Sequence, residues 1–221
     1  KGNVVSPDDL VRDYGCDSLR LYEMFVGPPE LDSEWDERGI DGVYRFITRF
    51  WKLAVDSIEA NVEPTKEMIK LRHQMVHTIT RRLEDFSLNT VVSGFMEFNN
   101  KFIELAKKEG GIDKETIQTF VTLLAPFAPH IGEELWERLG NTGSVFENNK
   151  WPEADEELMK DDEIQVPVQI NGKTKVVISV PADISKDDAI AQGKEALGDK
   201  LTGNIIKEIY VPGRIINIVA K

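Results

Sequence analysis

The sequence predicts a two-part chain of multidomain α plus α+β class: an antiparallel helical bundle followed by a small ββαββ domain. Two observations predict it. Between Ile40 and Gly140, apolar residues recur at three- and four-residue steps, the period of a helix with one buried face. After Glu163 the chain changes to short stretches rich in β-branched residues, divided by Asn-Gly and Pro-Gly turns.

The first 39 residues predict a connector that contains two short helices. "SPDDL" offers Ser6 as an N-cap and Pro7 at the first helical position, with acidic residues in the first turn. "CDSLRLYEMFV" predicts a second helix, which ends at "GPPE" because glycine and two prolines stop it.

Residues 40–150 predict a bundle of four amphipathic helices. The first begins near Ile40, the second opens at Pro64, and the third runs over about 89–109 to a Gly-Gly stop. The fourth follows Asp113 as N-cap and continues to Gly140. Helices of about 20 residues joined by short loops are typical of bundles.

The fourth helix contains two prolines three residues apart, in "LLAPFAPHIGEELWERLG". Each proline removes a backbone hydrogen bond, and in a helix interior it costs about 3 kcal/mol of helix stability. Because apolar residues continue beyond Pro129, we expect a kink that bends one continuous helix around the bundle.

A polar stretch separates the bundle from the β-rich segment. Residues 151–163 are strongly acidic and predict a solvated linker. Residues 164–221 predict the ββαββ domain, whose helix starts at a capping box formed by Ser185 and Asp188. A domain of about 60 residues is marginally stable alone.

Composition restricts the classes of function. A net charge of -12 argues against indiscriminate nucleic-acid binding, but the charge is uneven, since residues 164–221 carry eight Lys/Arg against six Asp/Glu. The single cysteine, Cys16, excludes an internal disulfide and a thiolate metal cluster, and we expect a cytoplasmic protein without membrane contact. The start "KGNVVSP" suggests a fragment of a longer protein.

No catalytic motif stands out in the sequence, and we assign no catalytic residue and no metal site. His73 and His77 share a helix face at i,i+4 spacing, but a third metal ligand is not evident. His130, beside the prolines, is interpreted as a packed, hydrogen-bonded histidine, and Cys16 as structural.

Two basic stripes suggest an anionic partner. On the polar side of the first bundle helix, Arg45, Arg49 and Lys52 are spaced i, i+4, i+7. The second helix carries a longer row, made of Lys66, Lys70, His73, His77 and Arg81, with Arg82 adjacent. Rows of like charge cost a few tenths of a kcal/mol per pair, so a phosphate partner and an ordinary solvated face both remain open from spacing alone.

Several motifs in order resemble the C-terminal part of bacterial-type leucyl-tRNA synthetases, members of class I. "KGNVVSPDDLVRDYGCDSLRLYEMFVGP" is similar to the segment after the KMSKS loop of class I enzymes, and "TLLAPFAPHIGEELWERLG" resembles the last helix of their anticodon-binding bundle. "EWDERGIDGVYRFITRFWKL" and the tail, with "VQINGK", "VPADISKDDA" and "VPGRIINIVAK", resemble the leucyl enzymes in particular.

The resemblance implies a role in holding tRNA-Leu. The intact enzyme would activate leucine with ATP and Mg²⁺, esterify it to the tRNA and edit mistakes, in catalytic and editing domains that lie upstream of this chain. The chain itself would bind no cofactor and have no activity alone, and the intact protein would be a monomer. Arg45 and Arg49 match basic positions of the family's "YRFxxRxW" run and are assigned to backbone phosphates.

The remaining tRNA-binding candidates come from both predicted domains. They are Lys52, Lys70, Arg81, Lys173, Lys175, Lys207, Arg214 and Lys221.

Three alternative interpretations stay open at this point. One is a fragment of a valyl- or isoleucyl-tRNA synthetase, although those enzymes end in different tails. The others are a stand-alone RNA-binding or interaction module and a regulatory protein built from a duplicated synthetase tail.

Overall fold

The computed structural model describes residues 5–28, 31–32, 35–147, 149–160 and 163–221. The "KGN" start and Asp161–Asp162 of the predicted linker lie outside these residues. The chain divides into two compact units, Lys1–Met159 and Lys160–Lys221. This division lies close to the predicted end of the acidic stretch.

The first unit is helical. Its helices are α1 (Pro7–Tyr14), α2 (Cys16–Phe25), α3 (Glu37–Ala60), α4 (Lys66–Glu84), α5 (Leu88–Glu109), α6 (Lys114–Leu124) and α7 (Pro129–Arg138). The side chains of Asp36, Thr65 and Asp113 cap α3, α4 and α6 by accepting hydrogen bonds from backbone N–H groups of the first turn. The apolar faces of α3, α4 and α5 share one core, although Phe86, at the end of the apolar row of the second bundle helix, lies outside it and is exposed.

Aromatic rings occupy the centre of that core. Phe50 of α3, Phe95 of α5 and Phe120 of α6 are fully buried, with ring centroids 4.3 Å apart for Phe50–Phe120 and 5.7 Å for Phe95–Phe120. These distances lie in or near the range of favourable aromatic pairs, which add to the free energy of burial. The core therefore joins three helices through one ring, Phe120.

The prediction of one continuous, kinked helix is wrong, because the chain forms two separate helices here. α6 ends at Leu124, and α7 begins at Pro129. Pro129 occupies the first turn of α7, where its missing N–H would have no intrahelical partner anyway. Pro126 lies in the intervening turn. The prolines thus end one helix and start the next instead of bending a single one.

Two charged side chains of α2 satisfy backbone groups at this break. The Asp17 carboxylate accepts hydrogen bonds from the N–H groups of His130 (3.3 Å) and Ile131 (2.8 Å), in the first turn of α7. The Arg20 guanidinium donates to the carbonyl oxygens of Pro126 (3.0 Å) and Phe127 (3.2 Å). We call Asp17 and Arg20 the α2 clamp. It supplies the cap that Ala128, at the N-cap position of α7, lacks.

A small residue lets α7 approach the end of α6 closely. A Cβ atom on Gly132 would lie 2.9 Å from the Cβ of Ala125 and 3.0 Å from its Cα. Any larger side chain would therefore push the two helices apart at the break.

The second unit is a four-stranded sheet covered by one helix. Its elements are β1 (Glu163–Ile170), β2 (Lys173–Pro181), α8 (Lys186–Leu197), β3 (Ile205–Val211) and β4 (Ile215–Ala220). The order is β2-β1-β4-β3, with two antiparallel hairpins joined by parallel pairing of β1 with β4. Asn171 and Gly172 both have positive φ in the first hairpin turn, as the Asn-Gly signal predicts. The predicted helical bundle with a ββαββ unit is confirmed.

The α2 clamp generates the first prediction. Replacement Asp17→Ala should lower the free energy of unfolding by about 2 to 4 kcal/mol, because it leaves two backbone N–H groups near the core without an acceptor. Urea unfolding monitored by circular dichroism measures this change. Asp13→Ala, at an exposed carboxylate of α1, is the control and should change stability much less, because exposed ion pairs contribute little. Equal effects of the two substitutions would contradict a capping role for Asp17.

The turn between α4 and α5 contains an unusual residue. Phe86 has a left-handed φ of 52°, and its side chain is 64% exposed. Its N–H bonds to the Leu83 carbonyl at 2.9 Å, and the Ser87 N–H bonds to the Arg82 carbonyl at 2.9 Å. This is the Schellman arrangement, in which glycine is the favoured left-handed residue.

Phe86→Gly should therefore raise the free energy of unfolding by about 0.5 to 1 kcal/mol, since relief of strain exceeds the entropy that glycine adds to the unfolded chain. Phe86→Ala keeps the strained Cβ and serves as the control, with little or no increase. Equal midpoints for the two variants in urea would refute the strain at this position.

Candidate nucleic-acid interface

The α3 stripe is exposed, and two of its three cations have no partner among the described residues. Arg45 and Arg49 are exposed and make no ion pair with any residue that the structure describes. Lys52 instead contacts the Asp56 carboxylate at 2.8 Å, a hydrogen bond that raises the pKa of Lys52. Since both side chains of this pair are largely exposed, the pair is weak and could exchange with another anion.

A groove lies between the second half of α3 and the C-terminal half of α5. We call it the α3–α5 groove; its volume is about 370 Å³. Its lining residues are Arg49, Lys52, Leu53, Asp56, Ser57, Ile103, Ala106, Lys107, Gly110 and Gly111. Two members of the predicted stripe therefore border one concave site.

Sequence reasoning misses the lysines of α5. Lys107 borders the α3–α5 groove and contacts Glu104 at 2.7 Å in an exposed pair. Lys101 lies over the Phe98 ring, 4.9 Å from its centroid. These lysines are spread among acidic residues on the polar face of α5, so no row of like charge marks them. Only the packing of α5 beside α3 brings Lys107 to the predicted stripe.

The α4 stripe is less available than its spacing suggests. Arg81 is exposed and without an ion pair in the described part of the chain, whereas Lys70 is half-buried and does have a partner. Arg82, adjacent to the row, donates to the Thr90 carbonyl at 2.6 Å and so holds the α4–α5 turn. Arg72, which lies between members of the row, is buried with its Nη1 2.8 Å from a Glu115 oxygen.

An acidic segment covers part of this stripe. Residues 151–159, the acidic strap, fall in the predicted solvated linker, but they lie along α4 instead. Hydrogen bonds between described residues hold the strap: Trp151 Nε1 to Thr80 Oγ1 (2.8 Å), Asp155 N to His73 Nδ1 (3.1 Å) and Gln74 Nε2 to Met159 O (3.1 Å). These three hydrogen bonds fix the position of the strap on α4. His73 is thus occupied by the chain itself.

The strand register places four of the five tRNA-binding candidates of the second unit toward one end of its sheet and the fifth at the other end. Lys173 follows the Asn171–Gly172 turn, whose Asn171 side chain bonds the Ala220 backbone, so Lys173 and Lys221 lie at one end of the sheet. Lys207 pairs with Val219 near that same end, and Lys175 is two residues beyond Lys173 on β2. Arg214 lies in the β3–β4 turn, at the opposite end. All five side chains are exposed.

The other residues considered from sequence have structural surroundings. His130 Nδ1 lies 2.8 Å from the Asp17 carboxylate, so the expectation of a hydrogen-bonded histidine is met, although its side chain is exposed rather than packed. Within the described residues no group of three or more His, Cys, Asp or Glu side chains is placed to hold a metal ion. No helix in the same residues has the length and apolar character needed to cross a bilayer.

The contact between His73 and the strap predicts that the free energy of unfolding depends on pH. Desolvation lowers the pKa of His73 below its usual value and the Arg72 charge lowers it further, against opposing contributions from Asp155 and Glu115. The neutral ring accepts the Asp155 N–H, so this stabilisation is complete above the pKa of the unfolded chain, roughly 6.5. It is lost as the pH falls from there toward the lower pKa of the folded protein.

In His73→Asn the side-chain oxygen accepts the same N–H at every pH, so stability should fall less between about pH 7.5 and pH 5.5 than in the unmodified chain. Urea midpoints at the two pH values measure the difference. His77→Asn, at an exposed position on the same helix, should keep the original dependence. If both substitutions change the pH dependence of the urea midpoint by the same amount, His73 is not the cause of that dependence.

Comparison with known proteins places this geometry in a family. A leucine–tRNA ligase of Fervidobacterium nodosum is 42% identical over 238 aligned residues, which cover all of this chain and 29% of the ligase. A crystal structure of the ternary complex of Agrobacterium radiobacter K84 agnB2 LeuRS-tRNA-LeuAMS aligns over the whole chain and 30% of its counterpart, with 26% identity and a TM-score of 0.75.

These matches confirm the resemblance to leucyl enzymes inferred from the motifs, and the chain spans less than a third of each matched protein. Residues 65–190, more than half of the chain, match the family model for the anticodon-binding domain of tRNA ligase. The chain belongs to this family of anticodon-binding domains.

Proposed function

We propose that this chain binds tRNA-Leu as part of a leucine–tRNA ligase, with the α3 stripe as its principal contact to the phosphate backbone. The observation that carries the proposal is the pair of exposed arginines, Arg45 and Arg49, one helical turn apart and without an ion pair among the described residues. A guanidinium has five donors in a planar fork that matches phosphate oxygens, so an uncommitted pair favours a polyanion.

The electrostatics of the whole chain support a selective contact. With a net charge of -12, most of the surface repels a polyanion, and attraction is restricted to places where cations are not neutralised by neighbours. Lys52 and Lys107 pair with single exposed carboxylates, so an approaching phosphate would compete with weak contacts. Binding of this kind is strongly salt-dependent.

The second unit would add further contacts. Lys173, Lys175, Lys207 and Lys221 lie toward one end of its sheet and would bind another part of the RNA backbone. Arg214, at the opposite end, would contact a different phosphate or none. On α4, Arg81 is a stronger candidate than Lys70, because Lys70 already has a partner.

In the complete ligase, leucine would be activated with ATP and Mg²⁺ and then esterified to the tRNA, with editing of mischarged products. These steps would use other parts of that protein, and the present chain would fix the position of the tRNA relative to them. Correct positioning of reacting groups accounts for a large part of enzymatic rate acceleration. The protein would act in the cytoplasm as a monomer.

A salt titration tests the proposal. Arg45→Ala/Arg49→Ala should weaken binding of a tRNA-Leu transcript and reduce the slope of log K against log salt by about 2, one for each phosphate that the substitutions release. Fluorescence anisotropy at several salt concentrations measures both quantities.

The matched control is Arg12→Ala/Arg38→Ala, which removes the same number of charges. Both of these arginines are exposed but paired with aspartates, Arg12 with Asp9 and Asp13 and Arg38 with Asp36. The control should leave the slope within about 0.5 of the original value. Identical slopes for both double variants would refute the assignment of the α3 stripe.

A further inference from the structure

The turn between β1 and β2 contains the only asparagine in the sequence that is followed by glycine, Asn171–Gly172. An asparagine can lose its side-chain amide when the backbone nitrogen of the next residue attacks the side-chain carbonyl carbon and closes a five-membered imide. Glycine has no side chain to hinder this attack, and both residues of the turn are exposed to water. Asn171 is therefore the amide of this sequence that is chemically most prone to deamidation.

Two hydrogen bonds hold the side-chain amide of Asn171 against the end of β4. Its Nδ2 donates to the Ala220 carbonyl oxygen at 2.9 Å, and its Oδ1 accepts the Ala220 N–H at 3.1 Å. For ammonia to leave, the amide carbon must become tetrahedral and Nδ2 must be released. The two contacts with Ala220 oppose both changes.

The attacking nitrogen is held by a third hydrogen bond to the same strand. The Gly172 N–H donates to Oδ1 of Asn217 at 3.1 Å. Ring closure requires this nitrogen to lose its proton, and an amide oxygen is too weak a base to accept it. The nucleophile and the leaving group of one reaction are thus both bound to β4.

We propose that Asn171 is a deamidation site whose reaction is controlled by separation of the β1–β2 turn from β4. After separation, the Gly172 nitrogen forms a bond to Asn171 Cγ, its proton passes through solvent to Nδ2, and the Cγ–Nδ2 bond breaks with release of ammonia. Water then opens the imide to aspartate or isoaspartate. The net reaction consumes water and the amide and yields a carboxylic acid and ammonia.

The product cannot restore the original contact with β4. Aspartate at this position has no donor for the Ala220 carbonyl oxygen, and it places a carboxylate oxygen beside that carbonyl instead. Isoaspartate inserts a methylene group into the backbone of the turn. Each product therefore weakens the attachment of the turn to β4. The reaction needs no RNA and is independent of the proposed function.

Mass spectrometry of proteolytic peptides measures how fast the full 221-residue chain loses the Asn171 amide at neutral pH. The folded chain should react more than about ten-fold more slowly than the chain unfolded in urea, because only the locally open fraction reacts. Asn217→Ala frees the Gly172 N–H and should accelerate the reaction of the folded chain several-fold.

Two further variants control for the loss of an asparagine and for destabilisation. Asn204→Ala makes the same substitution at an exposed position of the second unit and should leave the rate unchanged. Asn217→Asp keeps an oxygen that accepts the Gly172 N–H and should keep the reaction slow. Circular dichroism establishes that each variant is folded.

A second measurement requires no variant. At low urea concentrations, the deamidation rate and the hydrogen-exchange rate of the Gly172 N–H should rise together, because both need the same local opening.

The outcomes address the site and its control separately. If the unfolded chain keeps the Asn171 amide, the site is refuted. The control by β4 is refuted if folded and unfolded chains react equally fast, if a folded Asn217→Ala chain reacts as slowly as the unmodified one, or if deamidation and exchange change independently with urea.

Discussion

The arrangement of the first unit depends on the α2 clamp. A helix break inside a packed bundle leaves N–H groups at the start of the new helix and carbonyl groups in the turn before it, and unpaired groups there would be costly. One turn of α2 provides both partners, a carboxylate from Asp17 and a guanidinium from Arg20. The connector is therefore part of the bundle structure, since the N-cap residue of α7, Ala128, has no side-chain acceptor to offer.

The distribution of ion pairs, more than the distribution of charge, distinguishes the surfaces of this acidic protein. Arg72 and Arg82 carry the same charge as Arg45 and Arg49, yet both are used inside the unit, by Glu115 and by the Thr90 carbonyl. A cation that is buried or half-buried with its partner gives little to an incoming phosphate, because that contact must first be broken and a buried partner group would be left unpaired. Uncommitted arginines on α3 thus carry more functional information than the longer row on α4.

Much of the fold can be predicted because its signals are local. The Asp113 cap, the Asn171–Gly172 turn and the Ser185 cap depend on neighbours in sequence, and each occurs where the sequence predicts it. The helix break at Pro129 is different, since the groups that stabilise it belong to Asp17 and Arg20, more than one hundred residues away in sequence.

The candidate site is harder to predict than the fold. The α3–α5 groove requires Lys107 and Gly111 beside Arg49, a proximity that no single stretch encodes. The position of the acidic strap on α4 escapes sequence reasoning for the same reason, because Trp151 and Thr80 meet across 71 positions of the chain.

The parallel pairing in the second unit has a consequence for how it folds. Each hairpin can form from adjacent segments, but Val168 meets Ile216 only when the chain on both sides of α8 is in place. Pairing across so long a loop raises the contact order. Closing the loop costs entropy before the pairing offsets it, so folding is slower. Either hairpin alone would expose an unpaired strand edge prone to intermolecular association. The two halves of this unit are therefore expected to fold together.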